Sequence, residues 1–286
     1  MARTVFLNAD YMDETEAQVS IFDRGFLMAD AVYEVTAVLD GKLVDFDAHM
    51  VRLQRSLDEL GIAWKVDAAA MLDMHRHLVS ENAIEHGGVY LQISRGNPGD
   101  RDFLMPEAGT CQPTIIAFTQ QRPAPAADDE LKGIHIITTE DKRWQRNDIK
   151  TVQLLYASLQ KTRAVRNGAD DAWMIRDGLV TEGTSNNVYI IKDDTIITRP
   201  LSDAILHGIT RASVLRYASE HQLRVEERCF TLEEALAADE AFMTSASSYV
   251  TPVVQIDDTM LGDGKAGSVT RGVRAIYLEE SRRRAI

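Results

Sequence analysis

Along the chain the apolar residues change their period several times, and each change marks an element. Val5-Phe6-Leu7-Asn8 reads as an early strand. Residues 32–38 and 42–46 alternate around Asp40-Gly41, which predicts a β-hairpin with a tight turn. The period then becomes helical. Met50, Leu53, Leu57 and Leu60 fall on one face, with Asp47 as N-cap and Gly61 as stop. A second helix is predicted over 67–85, ended by Gly87-Gly88. Strands follow at 89–94 and 114–118. The loop between them, 96–109, is rich in Gly, Pro and charge, and long ordered loops are often functional.

Gln121-Arg122-Pro123-Ala124-Pro125-Ala126-Ala127 has the composition of a semi-stiff linker. It divides the chain into a domain over 1–120 and another over 128–286. In the second, a strand is predicted at 133–138 and a helix at 151–166. Hairpins follow at 172–181, around Asp177-Gly178, and at 188–198. A helix over 209–221, strands at 242–244 and 250–256, and a tail helix over 269–283 complete the pattern. Arg282-Arg283-Arg284 reads as a solvated, frayed end. Strands and helices mix without a regular βαβ alternation, so the fold class is α+β.

Composition narrows the function classes. The net charge of −13 over 286 residues argues against nucleic acid as a partner. No apolar run approaches the roughly 20 residues needed to span a bilayer. The first residues show no signal-peptide core. Cys111 and Cys229 are the two cysteines and lie far apart, which fits a reducing cytoplasm and provides no metal-ligand spacing. His75 and His77, on a polar helix, read as surface residues. An acidic protein that binds anionic substrates must concentrate positive charge locally. Arg95, Arg101, Lys142, Arg143 and Arg146 are the candidates, with solvated surface charge as the alternative for each.

The chemistry centres on Arg143-Trp144-Gln145-Arg146-Asn147-Asp148-Ile149-Lys150-Thr151-Val152, which runs into an apparent helix start. Apolar neighbours suggest that Lys150 enters a core or pocket, where desolvation favours the free amine that can attack a carbonyl. The alternative is a surface lysine at a helix N-terminus. Glu182 lies in a small polar loop before the strand at 188–191, where a carboxylate could serve a ring nitrogen. Arg52 falls on the helix after His49. His207-Gly208-Ile209-Thr210 opens a helix, a usual place to hold a phosphate. Together these are the requirements of pyridoxal phosphate (PLP).

In this order and at about these spacings, the segments resemble the fold-type-IV PLP-dependent aminotransferase family, and within it most closely the D-amino-acid aminotransferases. The matching pieces include Asp23-Arg24-Gly25-Phe26, Val32-Tyr33-Glu34-Val35, His49-Met50-Val51-Arg52-Leu53, Gln92-Ile93-Ser94-Arg95-Gly96, Asp148-Ile149-Lys150 and Glu182-Gly183-Thr184-Ser185-Asn186-Asn187-Val188. The resemblance implies a smaller N-terminal α/β domain, a larger C-terminal pseudo-barrel domain and PLP between them. It also implies a homodimer with the site at the subunit interface.

By the same resemblance, Lys150 forms the Schiff base and Glu182 partners the pyridine nitrogen. Arg52 holds the phosphate with Gly208, Ile209, Thr210, Ser245, Ala246 and Ser247, and Leu206 packs on the ring. Ala246 stands where a threonine is common. Tyr33 matches a tyrosine that helps bind the substrate carboxylate. Arg101 matches the arginine of an Arg-x-His pair after a one-residue insertion, and Phe103 replaces the histidine. Arg143 and Arg146 could supplement or replace the altered trap. The implied reaction moves an amino group from a D-amino acid to a 2-oxo acid, either 2-oxoglutarate or pyruvate. An (R)-selective amine or branched-chain aminotransferase, an aminodeoxychorismate-type lyase and a PLP-binding pseudo-enzyme remain as alternatives.

Overall fold

The computed structural model describes residues 2–286. It divides into two compact units. The first runs to Ala124 and also takes in Ile149–Gln153 and Arg284–Ile286. The second comprises Pro125–Asp148 and Leu154–Arg283.

The first unit contains β1 (Thr4–Leu7), β2 (Asp10–Asp13), α1 (Arg24–Met28), β3 (Ala31–Leu39), β4 (Lys42–Leu43), α2 (Phe46–Leu60), α3 (Ala68–Glu81), β5 (Gly87–Ser94) and β6 (Thr114–Gln121). Its six-stranded sheet has the order β2-β1-β6-β5-β3-β4 and is antiparallel throughout. Alternation along β3 decides which residues face the helices. Val32, Glu34, Thr36 and Val38 are buried, and their cross-strand partners Ile93, Leu91 and Val89 are buried with them. Helix α2 covers this face with Met50, Leu53 and Leu57.

Several expectations need correction here. Asp47 does not cap α2. The N-cap is Asp45, held at φ 52° and making no side-chain cap bond, so Asp47 lies in the first turn. Gly61 does close the helix, at φ 61°. Helix α3 ends at Glu81 with Asn82 as C-cap, and Gly87-Gly88 opens β5 instead. His75 is not a surface residue. It shares the buried face of α3 with Met71, Met74 and Leu78, the helical spacing that a polar composition concealed.

The segment around Lys150 is extended, not helical. Strand β4 pairs only with Val38 and Leu39, which leaves most of that edge of β3 open. Ile149–Gln153 takes part of it: Thr151 bridges to Val32, and the amide of Val152 donates to Ala31 at 3.2 Å. A β-branched Thr-Val pair suits this edge. The helix starts only at Leu155.

The second unit contains β7 (Ile134–Glu140), α4 (Leu155–Arg166), β8 (Asp171–Arg176), β9 (Leu179–Gly183), β10 (Asn187–Lys192), β11 (Thr195–Thr198), α5 (Ile209–Glu220), β12 (Arg224–Glu227), α6 (Leu232–Leu236), β13 (Glu240–Ser245), β14 (Tyr249–Ile256), β15 (Thr259–Met260) and α7 (Ser268–Arg284). Its main sheet has the order β12-β11-β10-β13-β14-β7-β8-β9, with β15 beside β14. Strand β9 stands at the edge of that order, yet only residues 184–186 separate it from β10 near the other end. So short a link forces the sheet to curl into a half-barrel. Trp173, Val188, Ile190, Phe230, Met243 and Val253 fill its interior. Helix α7 continues to Arg284, so Arg282-Arg283-Arg284 is solvated but helical. No helix among the described residues is long and apolar enough to cross a membrane.

His75 makes acid stability testable. Its Nδ1 lies 2.7 Å from the carbonyl of Met71, and the ring meets Phe46 edge-on at 5.2 Å. Burial pushes its pKa down to about 4, helped by His49 and opposed by the Met71 carbonyl and Glu34. The unfolded chain takes up a proton near the ordinary value of about 6.5. Stability from this site is therefore complete above about 6.5 and falls as the pH drops toward 4, by at most about 3 kcal/mol. We expect His75→Gln to flatten the dependence of the urea midpoint between those limits. An unaltered slope would exclude His75 as its source.

Candidate active site

Lys150 is anchored through its backbone. Its carbonyl accepts from the amide of Tyr33 at 3.0 Å, and its own amide points at Ser56 Oγ at 3.4 Å. The side chain is half-buried, with Nζ 4.2 Å from the centre of the Tyr33 ring. Tyr33 stacks on Tyr90 at 5.5 Å, and Tyr90 on Phe118 at 4.8 Å. The amine thus stands on an aromatic row, on the sheet face opposite α2.

On the helix face, Arg52 is buried and turned to Glu34. Its Nε donates to Glu34 Oε1 at 2.8 Å and Nη2 to Oε2 at 2.6 Å. His49 Nδ1 lies 2.7 Å from the same Oε2. Burial alone would push the Glu34 carboxyl up. The charge and hydrogen bonds of Arg52, aided by His49, outweigh it and hold the pKa down to about 2. Glu34 was not singled out from the sequence. Its signal was a charged residue on the buried phase of a strand, opposite a His and an Arg three apart on a helix.

In the second unit, Glu182 lies at the end of β9, where the sheet curls. It is only 4% exposed. Oε1 accepts from Arg143 Nη1 at 2.5 Å. Oε2 accepts from Asn187 Nδ2 at 3.1 Å and from the Leu206 amide at 2.9 Å. Burial pushes its pKa above the ordinary carboxylate value, against the pull of Arg143. Arg143 also grips Asp141 through Nε at 2.9 Å and Nη2 at 2.8 Å. Its guanidinium is thus committed to two carboxylates.

Asn187 belongs to the Glu182–Val188 segment, where residue type and spacing give it no role by themselves. Its Nδ2 donates to both Glu182 and the Leu206 carbonyl, the latter at 2.9 Å. A Cβ on Gly208 would stand 2.0 Å from Asn187 Oδ1, so a side chain there would displace the Asn187 amide. Gly208 is the N-cap of α5, and no side chain caps this helix start. Thr210 follows, buried. Asn187 also pairs across the sheet with Thr244, the residue before Ser245. At the next turn the hydroxyls of Ser245, Ser247 and Ser248 converge, at 3.3 and 2.7 Å from Ser245. One asparagine therefore links the carboxylate, the Leu206 backbone, the helix start and the serine turn.

Four of the five candidate cations face carboxylates: Arg95 with Asp30, Lys142 with Glu140, Arg143 with Asp141 and Glu182, and Arg146 with Asp148. Arg101 has no carboxylate partner among the described residues. Its guanidinium lies 4.7 Å from the centre of the Phe103 ring, which is 77% exposed.

These features fit a phosphorylated pyridine cofactor. A helix start without a side-chain cap suits a phosphate, and a buried carboxylate backed by a guanidinium suits a ring N–H. The comparisons agree. A profile of the Amino-transferase class IV family matches residues 31–256. A D-alanine aminotransferase of Staphylococcus haemolyticus is 41% identical over 268 residues, covering 93% of this chain and 94% of that protein. That of Bacillus licheniformis is 40% identical over 270 residues, covering 94% of each. A branched-chain amino acid aminotransferase of Escherichia coli superposes with a TM-score of 0.89 at 20% identity, over 98% of this chain and 95% of that one. The last likeness speaks to fold alone. The chain belongs to the class IV aminotransferase family, with the fold-type-IV architecture, and is a PLP-dependent aminotransferase.

Asn187 offers a direct test of how the site is built. Asn187→Ala should cost about 1–3 kcal/mol, because buried acceptors lose their donor. Asn187→Asp should cost more, since it sets a second carboxylate against Glu182. Urea unfolding of the two variants measures the order, and the reverse order would show that Asn187 does not serve Glu182.

Proposed function

We propose that this chain transfers the amino group of a D-amino acid to a 2-oxo acid, 2-oxoglutarate or pyruvate, with Lys150 as the covalent anchor of PLP. The observation that carries the D-amino-acid reading is the identity of about 40% to D-alanine aminotransferases over nearly the whole chain.

Bound PLP supplies an electron sink beside the substrate's α-carbon. The chain's own residues do the rest. Lys150 anchors the cofactor, and its amine moves the proton at that carbon. The backbone bonds to Tyr33 and the stacked aromatic row give Nζ a fixed base to swing from. Glu182 holds the proton on the ring nitrogen. It does so as the carboxylate: Arg143 sustains that charge against the burial that raises its pKa, and Asn187 and the Leu206 amide aim it. Leu206 packs on the ring.

Arg52, oriented by Glu34, takes the phosphate together with Gly208, Ile209 and Thr210 at the start of α5 and the turn at Ser245, Ala246 and Ser247. Ala246 contributes only its backbone there. Tyr33 and Arg101 hold the substrate carboxylate, and Phe103 gives the pocket an apolar side. Arg101 is favoured over Arg143 because it alone among the five candidate cations faces no carboxylate among the described residues, and a guanidinium holds a carboxylate through two parallel bonds.

Borohydride reduction of the yellow holoenzyme should fix PLP to Lys150, and Lys150→Ala should abolish transamination. Peptide mapping that placed the reduced cofactor on another lysine would overturn the assignment.

A substrate panel separates the arginines. The panel comprises D-alanine, L-amino acids and (R)-1-phenylethylamine, each with 2-oxoglutarate or pyruvate. D-alanine should be preferred. Arg101→Ala should raise KM for D-alanine and the 2-oxo acids on the order of tenfold to a hundredfold, and affect the uncharged amine far less. Arg143→Ala should instead lower kcat, because Glu182, buried without its charged donor, is driven toward the neutral acid. Preference for an L-amino acid would sink the D-specific reading. A KM effect in Arg143→Ala alone would move the anchor to that residue.

A further inference from the structure

The first unit holds a buried ion triad that the proposed chemistry leaves unused. Arg24, Asp30 and Arg95 are all buried. Arg24 Nε and Arg95 Nε each donate to Asp30 Oδ2 at 2.7 Å, and Arg95 Nη2 donates to Oδ1 at 3.1 Å. Burial pushes the Asp30 carboxyl up, and the two guanidinium groups more than reverse it.

Two cations against one carboxylate leave a buried positive excess that needs further acceptors. Arg95 finds them at the end of α2, in the carbonyls of Leu60 at 2.6 Å and Gly61 at 2.8 Å. The negative end of the helix dipole suits that cation. Arg24 finds them elsewhere. Its Nη1 donates to the carbonyls of Asp102 at 2.8 Å and Leu104 at 3.3 Å. These two residues bracket Phe103 and follow Arg101 directly.

Apolar burial does not hold that stretch, because the side chains of Phe103, Leu104 and Met105 are exposed. The Arg24 fork is its main polar tether, beside a weaker contact from Arg95 Nη2 to Met105 Sδ at 3.6 Å. Asp30 directly precedes β3, three residues before Tyr33, and its carbonyl accepts the amide of Arg95 at 3.1 Å.

We infer that Arg24 is a positioning residue for substrate recognition: through the carbonyls of Asp102 and Leu104 it holds in place the loop that carries Arg101. The inference rests on Arg101 as the carboxylate holder. Arg24 touches no substrate itself. It sets how much backbone freedom must be lost when Arg101 closes on a carboxylate, so its effect falls on KM more than on kcat.

Arg24→Lys on the holoenzyme is the test. A lysine keeps a cation beside Asp30 but lacks the planar fork that serves Asp30 and the loop together. Hydrogen exchange of the amides at 102–105 should quicken roughly tenfold as the tether is lost. KM for D-alanine and 2-oxoglutarate should rise roughly tenfold with kcat within about twofold and PLP content unchanged. In an Arg101→Ala background the lysine substitution should add nothing to KM. Unchanged exchange, unchanged KM, or additive KM effects in the double variant would each overturn the inference. An Arg101→Ala variant with unaltered KM would instead overturn the carboxylate-holder reading, while exchange in Arg24→Lys still reads the tether by itself. Arg24→Lys, not Arg24→Ala, is used because leaving Asp30 and Arg95 without that cation threatens folding.

Discussion

A carboxylate taken out of water must be met by donors, and the arrangement of this protein follows from that constraint. Glu34, Asp30, Glu182 and Asp171 are all buried. Each one gathers partners from other segments of the chain: Arg52 and His49, Arg24 and Arg95, Arg143 with Asn187, and Lys161 with Thr184 and Asn186. Buried ion pairs add little net stability compared with apolar packing. What they add is position. An unpaired buried charge is costly, so a donor that has one available acid is held at a defined angle.

The two units use this in different ways. In the first, the acids fix cations: Glu34 orients Arg52, and Asp30 gathers Arg24 and Arg95. In the second, the cation and amides fix an acid. Glu182 accepts from Arg143, Asn187 and Leu206, yet remains more basic than a carboxylate in water because burial outweighs those bonds. Under the proposed function that carboxylate faces a ring N–H, and Arg143 sustains the charge it needs there against burial. Curling of the second sheet makes the arrangement possible, since the short link from β9 to β10 sets Glu182 beside Asn187.

Much of the fold could be read from period and punctuation. The Asp-Gly hairpins at 40–41 and 177–178, the Gly61 stop and the strands β5, β6, β10 and β14 follow from local rules that act over a few residues. Where local rules were misleading, a partner from elsewhere had intervened. His75 appeared polar and exposed until the sheet covered α3. Thr151 and Val152 belonged to the predicted helix until the open edge of β3 claimed them. The short β12 and the one-turn α6 carried too few residues for any period to register.

The sequence by itself determined the chemical inventory: one lysine in an apolar setting, a glutamate before a strand, an arginine on a helix and a Gly-Ile-Thr helix start, in an order that resembles one enzyme family. Those are properties of residue type and spacing. Only the tertiary structure decided what each charge faces. Arg143 was a candidate for the substrate and is turned to Glu182 and Asp141, whereas Arg101 faces no acid among the described residues. Glu34, Asn187 and Arg24 gained their significance the same way. Pairing depends on which groups share a low-dielectric space, and residues as far as 80 positions apart in the chain come to share it only through folding.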